Sequence, residues 1–186
     1  GYYGHSDHRV DESSSSIDCF SSRLCKKWED SASGCESMGC RVCYLRIGIV
    51  LGEGGALARM LPAFRLGLGG PLGGGQQFMS WIHRDDLISL IYHCMNNIKL
   101  RGPINATAPN PVTNREFSQT LGAALSRPAK LHMPQMIIRA LFGEMGNELL
   151  LGGQNVLPNV ALESDFIFQY PELNSALRNL LSSPID

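Results

Sequence analysis

The segment Arg46-Ile-Gly-Ile-Val-Leu-Gly52, followed further along by Trp81-Ile-His-Arg-Asp-Asp-Leu87, restricts this chain more than any other feature. An apolar, β-branched run that stops at a glycine reads as a buried strand ending in a turn. Residues 41–50 do not alternate cleanly between apolar and polar, which is the pattern of a strand covered on both faces. The second segment sets a short strand directly before a helix, because Leu87, Ile88, Ile91, Cys94, Met95 and Ile98 recur at helical spacing. Strands separated by helices in this way build parallel sheets.

The rest of the chain fits around that pair. Phe20, Leu24 and Trp28 repeat every four residues and predict a helix over 17–32. Leu57, Met60, Leu61, Phe64 and Leu68 trace one face of another. Gly102-Pro-Ile-Asn-Ala-Thr107 reads as a further short strand. Thr113-Asn-Arg-Glu116 is a capping box, in which the hydroxyl and the carboxylate each satisfy an orphaned backbone N–H at a helix start. Phe117, Leu121, Ala124 and Leu125 supply the buried face of that helix. A helix from beyond Pro134 to about residue 142, a leucine-rich turn at 149–151 and a last helix over 171–181 complete the pattern. Residues 1–16 are polar and irregular and read as loop. Residues 67–75 hold six glycines and a proline, so they too form a loop.

Composition removes several function classes. Sixteen basic residues against seventeen acidic ones, scattered along 186 residues, provide no basic stripe for nucleic acid and no cationic cluster for an anionic membrane. The longest apolar runs are far shorter than the roughly 20 residues that span a bilayer. No charged-then-apolar leader opens the chain, and free thiols are the better reading of its six cysteines. That points to a reducing intracellular compartment, the cytoplasm or an organelle. The chain opens on Gly1 rather than Met, and its three clearest strands are too few for a doubly wound sheet. Both features read as those of a piece of something longer.

Four stretches together carry a family resemblance: Gly1-Tyr-Tyr-Gly4; Leu45 to Gly52; Phe64 to Pro71 with Trp81-Ile-His83; and Ile104-Asn-Ala-Thr107 with Asn114 to Phe117. In this order they resemble the short-chain dehydrogenase/reductase superfamily in its extended, epimerase-like form, and within it an atypical epimerase-family or cell-division-inhibitor-like branch. The resemblance implies an α/β fold: the C-terminal part of a Rossmann-type parallel sheet plus a small, mostly helical substrate lobe. It assigns 1–52 and 84–108 to the Rossmann part, and 53–83 and 109–186 to the lobe and C-terminal helices. Members begin with a strand, a Gly-x-x-Gly-x-x-Gly turn and a helix that cradle a dinucleotide pyrophosphate. That segment is not found here, and the 67–75 loop is no substitute because it follows a helix and precedes a strand.

What remains corresponds to the nicotinamide side. Ligands of open α/β sheets sit at the carboxyl ends of strands, so Gly48, Ile49 and Val50 are the candidate cofactor contacts, with Val50 the foremost. The alternative for Val50 is simple core packing. Tyr3 is expected near the reaction centre, or else as a packed loop tyrosine. The implied cofactor is NADP(H); the choice over NAD comes from the resemblance alone.

The usual chemistry of the superfamily needs Tyr-x-x-x-Lys on one helical face, where the ammonium lowers the tyrosine pKa. Four residues after Tyr2, Tyr3, Tyr44, Tyr92 and Tyr170 stand Ser6, Asp7, Gly48, Asn96 and Asn174, so no such pair exists. Taking the family's downstream glutamate as Glu29 puts Ser21 and Cys25 at the two positions; aligning on the aromatic puts Phe20 and Leu24 there. His83 and Asp86, at a strand-to-helix junction, form a second candidate pair. Their alternative is an acid favoured by the helix dipole with a histidine packed beside it. Cys35, Cys40 and Cys43 with His5 and His8 lack metal-ligand spacing, because residues three apart on a strand face opposite ways, and no metal is expected. Two functions follow: an NADP(H)-dependent reductase or epimerase-like protein acting on an unidentified small molecule, or a cofactor-binding or interaction protein without catalysis. A truncated product without independent activity is the third.

Overall fold

In a computed structural model, residues 1–136 and 152–182 are described. The expected leucine-rich turn at 149–151 and most of the helix beyond Pro134 lie outside them. Four parallel or antiparallel strand pairs and six helices of the described residues follow the expected α/β pattern.

The polar N-terminal stretch is not all loop. Ser6–Val10 forms strand β1, which pairs in parallel with β8, Gln154–Val156. Three consecutive exposed residues, Asp7, His8 and Arg9, hide this strand from pattern reading. Its formation depends on a distant partner rather than on local propensity. Helix α1 then runs over Phe20–Ser37.

The strand expected over 41–50 is two segments, β2 (Cys43–Ile47) and β3 (Ile49–Leu51). β2 pairs in parallel with β6 (Gly102–Ala106), setting Arg46 beside Asn105. β3 pairs in parallel with β5 (Trp81–His83), setting Val50 beside Ile82. The change of partner falls at Gly48. Its N–H donates to the Ala106 carbonyl at 3.1 Å, and the next N–H, of Ile49, donates to the Ser80 carbonyl at 2.8 Å. A Cβ at Gly48 would stand 2.6 Å from the Ser80 oxygen and 2.9 Å from the Thr107 methyl carbon. Only glycine lets the strand pass between its two neighbours.

Helix α2 (Gly55–Arg65) leads from β3 into the glycine-rich loop, and α3 (Arg84–Asn96) leads from β5 to β6. Short strands β4 (Phe78–Met79) and β7 (Val112–Thr113) pair antiparallel. β7 delivers the chain into α4 (Asn114–Ala124), which opens with the expected Thr113–Glu116 capping box. The 67–75 loop is pinned to 127–133: Met133 N–H donates to the Pro71 carbonyl and Gly73 N–H to the Met133 carbonyl. Gly70 lies directly on the Leu131 backbone, with no room for a Cβ. Two helices close the described chain, α5 (Asn159–Glu163) and α6 (Leu173–Ser182).

Alternation along β3 and β5 divides the interior into two cores, since successive strand residues face opposite ways. Leu51 and Trp81 join α2, α4 and α6 through Leu57, Phe64, Phe117 and Leu177. Ile82 turns to the other side and joins α3, β6 and α5 through Leu90, Ile104, Ala161 and Phe166, with Val50 packed against them. The strand is covered on both faces, as its sequence implies.

Candidate functional site

A buried polar network sits where β2 and β6 run side by side. Arg46 Nε and Nη2 donate to the two oxygens of Glu29 at 2.8 and 2.9 Å, a two-pronged pair reaching from the sheet to α1. Its third nitrogen, Nη1, donates to the Tyr3 hydroxyl at 3.0 Å. The guanidinium carbon lies 3.3 Å from the centre of the Tyr2 ring, a cation–π stack. Tyr3 in turn donates to Asn105 Oδ1 at 2.8 Å. Asn105 is fully buried; its Nδ2 donates to the Leu157 carbonyl and its backbone N–H to Glu12 Oε1. Glu12 Oε1 also receives the Val160 N–H, at the first turn of α5. Glu12 Oε2 is buried without a protein partner.

Electrostatics fixes the protonation states. Burial pushes the Tyr3 phenol above its ordinary pKa, although Arg46 and Asn105 pull the other way. The phenol is therefore protonated at neutral pH, and its one proton goes to Asn105. Burial works against the Arg46 charge, but the bonds to Glu29 and Tyr3 outweigh it and raise its pKa. Burial raises Glu12, so this carboxyl takes up a proton more readily than a surface glutamate. Tyr3 itself is 2% exposed, and its hydroxyl is already engaged on both sides.

Glu29 also decides the register of α1. Glu29 faces the sheet, and one and two turns earlier on that face stand Cys25 and Ser21. A Cβ on Gly1 would meet Ser21 Cβ at 3.0 Å and Cys25 Sγ at 3.4 Å. Phe20 and Leu24 are instead exposed, as are Lys26 and Lys27. Of the two registers the resemblance allows, the inward face of α1 carries Ser21 and Cys25, a hydroxyl and a thiol, and not Phe20 and Leu24.

His83 and Asp86 occupy the β5–α3 junction, and each is engaged with a separate partner. His83 is fully buried and caps α3, its Nδ1 accepting the Asp85 N–H at 3.1 Å. The ring proton therefore sits on Nε2, which donates to Asn179 Oδ1 at 3.2 Å. The ring stacks on Tyr170 with centroids 4.0 Å apart, and burial holds its pKa below the ordinary value. Asp86 accepts the backbone N–H groups of Gln169 and Tyr170 at 2.7 and 2.9 Å. Together they fasten residues 169–179 to the sheet.

Gly48, Ile49 and Val50 follow directly at the carboxyl end of the β2–β3 strand. Gly48 is filled in by Ser80 and Thr107, whereas Ile49 and Val50 are only half-buried. They face opposite sides of the strand, Ile49 packed against the core of Leu51 and Trp81 and Val50 against that of Ile82. The described residues place no strand–Gly-x-x-Gly-x-x-Gly–helix turn there for a pyrophosphate. Arg46, Glu29, Asn105 and Glu12 were not singled out by spacing. For Arg46 and Asn105 the available signal was their type, a charged and an amide side chain within otherwise apolar strand sequence, where burial demands a partner.

Parallel strand pairs with helices packed on both faces define a Rossmann-type α/β fold. The comparisons with known proteins agree. Residues 133–180 match a domain of unknown function, DUF1731. The chain is 48% identical over 183 residues to the chloroplastic epimerase family protein SDR39U1 homolog of Arabidopsis thaliana, covering 97% of this chain and 52% of that protein. It is 40% identical over 186 residues to epimerase family protein Mb2239 of Mycobacterium bovis, covering 99% and 62%. The crystal structure of human epimerase family protein SDR39U1 with NADPH superimposes with a TM-score of 0.89 at 41% identity, over 96% of this chain and 61% of that one. The chain belongs to the atypical, epimerase-like branch of the short-chain dehydrogenase/reductase superfamily. It spans between about half and two thirds of the length of these relatives. Among the described residues no helix is long and apolar enough to cross a membrane.

Proposed function

We propose that this chain forms the nicotinamide-side wall of an NADP(H)-dependent reductase or epimerase acting on a small molecule. The observation that carries the reading is the likeness, over 96% of the chain, to a human relative crystallised with NADPH. Bound NADPH would supply a hydride from its nicotinamide ring. Val50 and Ile49 would give that ring an apolar surface that excludes water, with Gly48 setting the strand's path between β5 and β6. Arg46 would hold Tyr3 and Glu29 in place at the edge of the site. Tyr3 is a positioning residue in this scheme, since its proton is committed to Asn105. Ser21 and Cys25 stand on the inward face of α1 beside Gly1; the Ser21 hydroxyl is the stronger hydrogen-bond donor of the two and the Cys25 thiol the stronger acid. No nucleic acid or membrane partner is proposed, and free cysteines suit a reducing compartment.

The second reading, cofactor binding without catalysis, is favoured by one observation: no tyrosine of this chain is followed four residues later by a lysine. Incubation with NADPH and a panel of carbonyl compounds and nucleotide sugars separates the two. Loss of reduced-nicotinamide absorbance with any substrate, abolished in Ser21→Ala, supports the enzyme. NADPH binding without any hydride transfer supports the second reading. Absence of binding, with Val50→Asp behaving as wild type, would sink both.

A further inference from the structure

Arg41 gathers two cysteines that lie far apart in the chain. It stands just before β2, and its guanidinium caps the last turn of α3. Nη1 donates to the Cys94 carbonyl at 2.8 Å and the Leu100 carbonyl at 3.0 Å, and Nη2 to the Met95 carbonyl at 3.0 Å. The same Nη1 donates to Cys43 Sγ at 3.2 Å. With the bonds to Cys43 and Cys94 laid end to end, the Cys43 sulfur is at most about 6 Å from the Cys94 carbonyl oxygen. Cys43 packs against the core that contains Cys94. Burial first, and the Cys43 sulfur among the other causes, hold the Cys94 thiol above its ordinary pKa. The two thiols differ in access: Cys94 is 5% exposed, whereas Cys43 is half-buried. A guanidinium bond to sulfur strengthens when the sulfur carries negative charge. As a thiol, Cys43 donates to the Leu100 carbonyl at 3.4 Å, and that carbonyl keeps its bond from Arg41 when the proton leaves.

We propose that Cys43 and Cys94 are a peroxide-sensitive thiol pair that closes to a disulfide between β2 and α3. Hydrogen peroxide is the oxidant. The Cys43 thiolate, reachable and held by a cation, attacks the O–O bond. One oxygen stays on Cys43 as a sulfenic acid, and the other leaves as water with the thiol proton. The Cys94 sulfur then attacks the sulfenic sulfur, the S–O bond breaks, and a second water leaves with the Cys94 proton. Two thiols lose two electrons, and one peroxide becomes two waters. A disulfide requires Cα atoms about 4.4–6.8 Å apart, and Arg41 already draws the last turn of α3 onto the start of β2. The bridge would tie down the helix that follows β5. Cys35 and Cys40 are the competing pair, since the Cys40 N–H donates to the Cys35 carbonyl at 3.1 Å. A bridge there would join the last turn of α1 only to the residues just after it. A reducing compartment keeps Cys43 and Cys94 as thiols, and a burst of peroxide closes them. The pair lies at the amino end of β2, away from Gly48, so the inference does not depend on the cofactor reading.

The test treats the reduced chain with a modest excess of hydrogen peroxide, well below its melting temperature. Alkylation in denaturant and non-reducing peptide mapping follow. The expected product is a Cys43–Cys94 peptide pair two hydrogens lighter than its reduced parts, reversed by dithiothreitol. Alkylation of Cys94 in denaturant should fall at least about fivefold once the bridge has formed. Cys40→Ser should behave as wild type. Cys43→Ser should leave Cys94 a free thiol, and in Cys94→Ala the Cys43 sulfur, with no partner to resolve it, should go on to the sulfinic acid. Wild-type Cys43 recovered as sulfinic acid, or joined to Cys40, with Cys94 still alkylated, overturns the inference. So does a Cys43 that peroxide leaves unoxidised, or a cross-link that forms only above the melting temperature and so belongs to the unfolded chain.

Discussion

Arg46 shows how one residue organises its surroundings. Its guanidinium satisfies a carboxylate on α1, a phenol from the N-terminal segment and the face of a second aromatic ring. Arg46→Met leaves Glu29 half-buried without a counter-charge and should cost about 2–4 kcal/mol, measured by denaturant unfolding. Arg46→Lys keeps the charge but loses the planar fork, and should cost about half as much. Equal stability of all three proteins would show that the pair contributes nothing. Glu12 carries a pH signature. Its folded pKa is raised by burial, so its protonated form favours folding below the unfolded carboxylate pKa. That contribution is lost as pH rises through the folded value. Glu12→Gln removes the charge while keeping the oxygen that accepts from Asn105. The melting temperature of the Gln variant relative to wild type should therefore increase between about pH 4 and pH 8. Parallel profiles would refute the assignment.

At the scale of elements, much of the fold is legible in the sequence. The β-branched run before Gly52 emerges as strand, divided at Gly48, and the helix after His83 and the Thr113–Glu116 box emerge as read, because each depends on local spacing. What periodicity does not reveal is direction. It marks α1 as a helix through Phe20, Leu24 and Trp28 but does not say which face turns inward, and an apolar stripe turns outward when its cover lies elsewhere. Strands β1 and β8 escaped because neither has an apolar alternation, and each is held by a partner far away in sequence. The candidate site is legible only in part: Val50 lies in β3 with its side chain packed against the core, while the Tyr3–Arg46–Asn105 contacts arise from parallel register, which no single strand encodes. The register itself is guarded at Gly48. Gly48→Ala would force the Ser80 carbonyl or Thr107 aside and should cost about 1–3 kcal/mol in equilibrium unfolding. A neutral effect would mean that β2 and β5 are free to move apart.

Among the described residues there are two apolar cores, and helix α1 lies outside both. Such an arrangement should not melt as a unit. On heating the chain by itself, we expect the helical signal of α1 to decay first, and the buried environment of Trp81 to be lost at a higher temperature. Far-ultraviolet circular dichroism and near-ultraviolet signals followed together check this. Coincident transitions would show that α1 is coupled to the cores after all.

Burial of Cys94 in the core beneath α3 has a chemical consequence. All six cysteines are free thiols, and burial raises the Cys94 pKa, so its thiolate is both scarce and shielded. Alkylation at Cys94 must wait for α3 to lift from the sheet, whereas fully exposed Cys40 should react at once. The slowest thiol in a mass-spectrometric labelling series is then a clock for the opening of that core. A Cys94 that reacts as fast as Cys40 would mean the core opens freely in the native chain.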